Sequence, residues 1–396
     1  MAGDIKEFQA DTGGADSLKR SSAATVQRNL QTIPRLADGS PRYARGWHML
    51  GWSDEFEQGK AVARDYFGQR LAIFRGEDGQ VRVLDAFCPH LGADLSAGTV
   101  QGNTLRCAFH YWSYEGGGQC VSIPYCDKIP PRARTRAFTV KEINDTVLVW
   151  HDPELGPPDF DILPLQEYGA PGWTRNWRRF KITIKTHARE VMENTVDKGH
   201  LLPIHGFSVD EWLPIWNGTM CGELTWGKHT RLASDVRDDK LYVRSLSHGP
   251  AYQYTWQTQD SGQFDSIILT AWCPIDENTL EYWFGVIVKA DPKQFPPEAL
   301  EAAADGYCKA SYDAFMEDVY IWERKLYRPE PLLCAGDGPI NKLRRWYAQF
   351  YTDRAKVNNT QFRNNNQDWT IYDLRDRLPT VLAAQEPAAA TVSAGS

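Results

Sequence analysis

The sequence predicts an α+β protein made of two antiparallel β units, the second flanked by helices. Three observations predict it. Short apolar runs punctuated by Gly and Asp fill residues 43–153. A Pro-rich stretch, Asp152–Pro164, separates them from the rest. Longer strand-like runs then share the chain with one helical pattern, Pro297–Lys325, opened by two prolines and rich in Ala and Glu.

Taken in order, residues 1–42 are polar and poor in aromatics and read as a tail with one helix around Ala23–Leu36. Arg70–Phe74, Val81–Ala86 and Thr146–Trp150 read as strands of the first unit, and Glu77-Asp78-Gly79 is a hairpin signal between the first two. Asp152–Pro164 reads as a linker. In the second unit, residues 154–384, Arg189–Lys198 reads as a helix that Pro203 ends or kinks. Leu241–Ser245, Phe264–Trp272 and Leu280–Lys289 read as strands of one sheet. Residues 385–396 are Ala/Ser-rich and read as a disordered tail.

Composition excludes several classes. A formal charge of −7 argues against a general nucleic-acid binder, which needs a basic face. No window approaches eighteen uninterrupted apolar residues, so no membrane span is expected. Met1–Ala10 lacks the apolar core of an export signal. Eight Cys among 396 residues is too sparse for a disulfide scaffold. Reduced thiols and a cytoplasmic location are therefore expected.

Chemistry concentrates in two constellations. In the first, Cys88-Pro89-His90 is followed, sixteen residues on, by Cys107-Ala108-Phe109-His110. Each loop offers one thiolate and one imidazole. Such a set suits zinc or a [2Fe–2S] cluster with two Cys on one iron and two His on the other. Zinc fingers place like ligands together, whereas these loops mix them, which favours the cluster. Gly92 and Gly116-Gly117-Gly118 are expected to let backbone amides approach the cluster sulfurs.

In the second, Glu193-Asn194-Thr195-Val196-Asp197-Lys198-Gly199-His200 leads to His205. Asp197 and His200 are three apart, on one face of a helix. His200 and His205 are five apart, roughly 140° on a regular helix, too wide for one metal unless Pro203 bends the chain. Two His and one carboxylate form the facial triad of non-haem Fe(II) oxygenases. The carboxylate is expected to be Asp318, in the apolar setting of Phe315, Ile321 and Trp322. Its neighbour Glu317 should point about 100° away and miss the site. Asp197 would then orient His200.

Cys-Pro-His-Leu-Gly-Ala…Cys-Ala-Phe-His-Tyr-Trp resembles the Rieske motif of ring-hydroxylating and related oxygenases. Respiratory Rieske proteins carry an extra Cys in each loop. Here Ala93 and Ala108 stand there, which places the expected potential toward the low end of the roughly −150 to +300 mV Rieske range. Arg45-Gly46-Trp47-His48, Pro130–Thr135, Val149–Pro153, Gly338-Pro339-Ile340 and Leu343–Tyr351 are similar to the 3-ketosteroid 9α-hydroxylase oxygenases and the cholesterol 7-desaturases. The resemblance spans Tyr43 to about Asp353.

It implies a Rieske domain over 43–153 and a catalytic mononuclear-iron domain over 154–384. Cys88, His90, Cys107 and His110 would hold the cluster, and His200, His205 and Asp318 the Fe(II). Asp197 and Asn194 would act at the site, Asp197 bridging His200 to His110 of a neighbouring copy. That bridge implies a head-to-tail ring, most simply a homotrimer. The resemblance also implies O₂, a ferredoxin or flavin reductase fed by NAD(P)H, and an apolar, bulky substrate that is hydroxylated. Ile267–Trp272 and Tyr282–Phe284 would line its pocket or form plain core. Oxidation of another substrate class, by ring attack, demethylation or desaturation, stays open. So does an electron carrier without oxygenase activity. No Gly-x-Gly-x-x-Gly fingerprint occurs, so this chain should not bind the nicotinamide itself.

Overall fold

The computed structural model describes residues 34–230, 239–260, 264–290 and 296–358. The expected tail at 385–396 and most of the expected helix at Ala23–Leu36 lie outside them. Within that helix, Pro34–Leu36 is described and carries an isolated bridge from Arg35 to Pro41 rather than helix.

The N-terminal half is antiparallel throughout. Its strands are β1 (Gly46–Trp52), β2 (Ala61–Tyr66), β3 (Gln69–Arg75), β4 (Val81–Asp85), β5 (Thr99–Gln101), β6 (Thr104–Arg106), β7 (Ser113–Glu115), β8 (Cys120–Ser122), β9 (Ala137–Phe138), β10 (Val140–Ile143) and β11 (Thr146–His151). They form three small sheets, ordered β1-β11-β10, β2-β3-β4-β9 and β5-β6-β7-β8. The three strands expected here are β3, β4 and β11. Gly79, at φ +78°, makes the expected turn between β3 and β4. Residues 71–74 are buried on both faces for a reason visible in the alternation. Leu71 and Ile73 join the main core, whereas Ala72 and Phe74 join a second cluster around Cys88 and Cys107.

The C-terminal half holds one seven-stranded antiparallel sheet. Its strands are β12 (Arg178–Ile184), β13 (Phe207–Asn217), β14 (Met220–His229), β15 (Leu241–His248), β16 (Tyr252–Gln259), β17 (Phe264–Asp276) and β18 (Thr279–Ala290), in the order β12-β18-β17-β16-β15-β14-β13. The three strands expected in one sheet are β15, β17 and β18. Pro214 is tolerated because β13 is an edge strand. Among the described residues, four helices accompany the sheet: α1 (Ala188–Asn194), α2 (Leu201–His205), α3 (Pro297–Trp322) and α4 (Ile340–Ala348).

The sheet lies between two layers. Leu224, Leu246, Tyr254, Leu269 and Trp283 face the N-terminal half and pack with Trp47, Met49 and Leu148. Cys221, Trp272, Tyr282, Phe284 and Val286 face the helices. The two runs, Ile267–Trp272 and Tyr282–Phe284, therefore contribute core to both layers, alternating by residue. Asp152–Pro164 is irregular, as expected, yet firmly held rather than slack. Trp47 Nε1 donates to the Phe160 carbonyl and Trp150 Nε1 to that of Gly156, both at 3.0 Å. The buried Asp152 carboxylate accepts from Gly156 N at 3.0 Å and from Arg354 Nε at 2.6 Å.

Helix α1 is clamped electrostatically. Arg344 of α4 donates to both oxygens of the buried Glu193, at 2.6 and 3.1 Å, and Lys325 lies 2.8 Å from Glu190. Removing one partner of a buried pair leaves an uncompensated charge. Arg344→Ala is expected to cost about 3–5 kcal/mol in denaturant unfolding, with Glu193→Leu/Arg344→Met costing less than that single change.

Candidate metal centres

The first site is built by two loops of matching geometry. Cys88 N donates to Ala93 O at 2.9 Å and Gly92 N to Cys88 O at 2.9 Å. In the other loop, Cys107 N donates to Trp112 O at 2.9 Å and Tyr111 N to Cys107 O at 3.1 Å. Each turn needs a left-handed residue four positions after its Cys. Gly92 supplies φ +78°, and Tyr111 adopts φ +60° with the Arg106 guanidinium 4.7 Å over its ring.

The two Cys are buried and adjacent, and the two His rise to the surface. The His90 and His110 rings stand 4.7 Å apart at 72°, with His90 stacked on Trp112. Inner thiols and outer imidazoles are the donor arrangement a Rieske cluster requires. Burial raises the Cys88 thiol above its ordinary pKa, and the Tyr114 hydroxyl, 3.1 Å from its sulfur, pulls it partly back. The spacing of the motif did not reveal this hydrogen bond. Tyr114→Phe is expected to lower the cluster midpoint potential in a redox titration while leaving the cluster bound.

The glycines also have roles in the local backbone. A Cβ at Gly92 would meet nothing, so that residue serves the turn. Gly118 packs on the Thr135 carbonyl and Gly116 on Arg82. They shape the loop and the hairpin.

At the second site, the donor atoms of His200, His205 and Asp318 all lie within 4.8 Å of one another. The expected helix stops at Asn194. The chain then breaks and re-enters through a 3₁₀ turn, Lys198–His200, that runs into α2. Pro203 falls in the first turn of α2, where its missing N–H costs nothing, so the bend precedes it. Gly338 fixes the break. It sits at φ +82°, and a Cβ there would lie 2.2 Å from the Val196 carbonyl.

The His200 and His205 rings are 5.2 Å apart at 84°. His205 Nε2 is 3.2 Å from Asp318 Oδ1. His200 Nδ1 is 2.5 Å from the Asp197 carbonyl, which leaves its Nε2 facing the site. Asn194 Nδ2 donates to Asp318 Oδ2 at 3.2 Å and lies 3.4 Å from His200 Nε2. Burial lowers the His200 pKa, against the pull of Asp318. Burial also pulls His205 down, but Asp318 and Glu317 together outweigh it and leave that pKa raised. Two imidazoles and a buried carboxylate converging at this distance fit a divalent iron with open positions.

Glu317 corrects one expectation. Its Oε2 lies 3.4 Å from His205 Nδ1, the nitrogen pointing away from Asp318. A long side chain reaches a ring that its helical angle alone would miss. Asp197 caps the 3₁₀ turn through Gly199 N at 3.0 Å, and its carboxylate stays partly exposed, 3.8 Å from His200 Nδ1.

A paired Cys/His loop site and a His/His/Asp centre on a helix-flanked antiparallel sheet together define a Rieske-type non-haem iron oxygenase. Residues 46–141 match the Rieske [2Fe-2S] domain, and residues 149–351 match the 3-ketosteroid 9α-hydroxylase C-terminal domain. A probable 3-ketosteroid-9-alpha-monooxygenase oxygenase component of Rhodococcus rhodochrous is 36% identical over 334 residues, covering 80% of this chain and 82% of the relative. Cholesterol 7-desaturase of Hemicentrotus pulcherrimus is 30% identical over 356 residues, covering 83% and 74%. Dicamba monooxygenase bound to dicamba shares the fold, with a TM-score of 0.63 and 19% identity over 78% of this chain and 97% of that one. The chain belongs to the 3-ketosteroid 9α-hydroxylase oxygenase family.

Proposed function

We propose that this chain is the terminal component of a multicomponent monooxygenase that hydroxylates a bulky, apolar, steroid-like substrate with O₂. The observation that carries the reading is the presence of two separate donor sets in one chain, one suited to electron transfer and one to O₂ chemistry. Cys88, His90, Cys107 and His110 hold the [2Fe–2S] cluster, and His200 Nε2, His205 Nε2 and Asp318 hold the iron. When bound, the two groups supply one-electron transfer and O₂ activation. Asn194 hydrogen-bonds the Asp318 oxygen that does not face His205 and so fixes that carboxylate's rotation. The Asp197 carbonyl accepts from His200 Nδ1–H and fixes the tautomer that presents Nε2.

Electrons come from a separate ferredoxin or flavin reductase using NAD(P)H. None of the eight cysteines is in a disulfide, which fits a reducing cytoplasm. Among the described residues, no helix is long and apolar enough to cross a membrane.

The working assembly is a head-to-tail homotrimer. Leu91, Phe109, Tyr111 and Tyr125 are exposed around the cluster histidines. Beside the iron ligands, Pro203, Ile204, Met316, Tyr320 and Ile321 line a groove of about 630 Å³. Apolar collars of this kind mark protein contacts, and a collar meeting a groove elsewhere on the same chain generates a ring. Asp197 then accepts from His110 of the neighbouring copy.

The test is incubation of the iron-loaded protein with reductase, NADH, O₂ and a panel of steroids and aromatics, with product mass analysis. A product one oxygen heavier from a polycyclic substrate is expected. Iron near two per chain, with no O₂ consumed, would establish an electron carrier instead.

A further inference from the structure

The loop that follows β8 is strongly basic in a chain whose formal charge is −7. Between Pro124 and Arg136 stand four cations, Lys128, Arg132, Arg134 and Arg136, against one anion, Asp127. Arg136 turns inward, onto the Asp152 carbonyl at 3.4 Å and the Phe138 ring. Lys128, Arg132 and Arg134 are exposed. Among the described residues, no carboxylate pairs with these three, whereas Arg64, Arg70, Arg75 and Arg82 of the same half each hold one. Positive charge left unneutralised at three nearby surface positions raises the local potential and attracts an acidic partner.

The same loop walls the cluster site. Its Ile123 and Ala133 are buried with Cys88, Cys107 and Tyr114 in one apolar cluster, and Ile129 packs against it. Ala133 O accepts from Cys120 N at 2.8 Å, and Arg134 bridges to Gln119. Cys120 pairs across β7 and β8 with Tyr114, whose hydroxyl lies 3.1 Å from Cys88 Sγ. A short run of bonded groups therefore joins the basic surface to a cluster thiol. Pro130 and Pro131 stiffen the loop, so little ordering is lost when a partner sits on it. Val121 and Pro124, a few residues earlier, are exposed as well, which adds apolar contact area to the charged surface.

Two features name the occupant. The cluster needs an electron from outside, because this chain has no nicotinamide fingerprint. In the assembly proposed above, the histidine side of the cluster faces a neighbouring copy, so a donor approaches from another side, and this loop offers charge there. Resting on the oxygenase reading above, we propose that Lys128, Arg132 and Arg134 form the docking surface for an acidic one-electron donor protein of the ferredoxin class. One electron leaves the donor's reduced [2Fe–2S] cluster and enters the oxidised cluster held by Cys88, His90, Cys107 and His110. Plant-type ferredoxins have potentials below the Rieske range, so the transfer runs downhill, and no bond is made or broken.

The experiment follows, by anaerobic stopped flow, reduction of the oxidised Rieske cluster in the iron-loaded protein by a pre-reduced acidic plant-type ferredoxin. At about 0.1 M ionic strength, charges more than ~10 Å apart are screened. There Lys128→Glu/Arg132→Glu/Arg134→Glu is expected to lower the second-order rate constant at least about 10-fold. The neutral Lys128→Gln/Arg132→Gln/Arg134→Gln variant should fall between the two. At about 1 M the three rates should converge. Lys60→Glu/Lys309→Glu/Arg345→Glu changes the net charge equally at exposed sites elsewhere, and should keep the rate within about threefold of wild type. An unchanged Rieske EPR signal and full reduction by excess dithionite show that the cluster is intact in each variant. An unchanged rate in the Glu variant, an equal loss in the charge-matched variant, a wild-type rate that ignores salt, or no reduction of wild type by the ferredoxin would overturn the proposal. So would dissociation of the Glu variant into single chains, which would make the loop a contact between copies. Product analysis is read separately. Charge-dependent reduction of the cluster with no oxygenated product would overturn the oxygenase reading and leave the docking surface standing.

Discussion

Replacing Asp197 with Asn is expected to leave both metals bound and the assembly intact, while slowing electron delivery to the iron by about 100-fold, the upper range for groups that act through a ligand. The carboxylate does not belong to the converging donors. It caps a turn, stays partly exposed and lies 3.8 Å from His200 Nδ1. An amide keeps the cap, since its oxygen still accepts from Gly199 N. It loses the negative charge beside His200, and its Nδ2 cannot accept from the His110 N–H of a neighbouring copy as a carboxylate oxygen does. Cluster reduction by the external donor should stay normal. Stopped-flow reoxidation of the pre-reduced cluster, with substrate and O₂, measures the step. A wild-type rate would sink the bridging role, and loss of iron would make Asp197 a ligand.

His200→Ala and His205→Ala are each expected to reduce turnover to background and to remove the iron, yet to keep the Rieske absorption and EPR signals. The two donor sets share no residue, so one centre is removable without the other. Metal analysis and EPR on the same samples check this. Loss of cluster colour in both folded variants would count against two independent centres. Asp318→Asn should behave like the His variants. Glu317→Gln should retain the fold and lose about 10–100-fold in activity or iron affinity, because it meets His205 at the outer nitrogen and is not one of the converging donors. A Glu317 variant as impaired as the Asp318 variant would exchange their roles.

The legible part of this protein is the part written in short stretches of chain. Cys88-Pro89-His90 and Cys107-Ala108-Phe109-His110 name the four proposed cluster donors because both loops offer a thiolate and an imidazole within one turn. His200 and His205 are readable for the same reason. Asp318 was legible as a carboxylate in apolar surroundings, although 124 residues separate it from its hydrogen-bond partner Asn194. The alternation that assigned strands Arg70–Phe74, Val81–Ala86 and Thr146–Trp150 is likewise local, set by which face of a pleat is dry.

Tertiary packing decided the rest. Whether Pro203 or an earlier break bends the chain depended on Gly338, which closes on the Val196 carbonyl from far along the sequence. The reach of Glu317 to His205 came from side-chain length and the placement of α2 against α3, not from angular position on a helix. Tyr114 meets Cys88 only because β7 folds beside the first loop. The basic loop Lys128–Arg134 walls the cluster site only because Cys120 of β8 holds its Ala133 carbonyl. Ligand type and spacing are properties of a segment, whereas what surrounds a ligand is a property of which segments the fold places side by side.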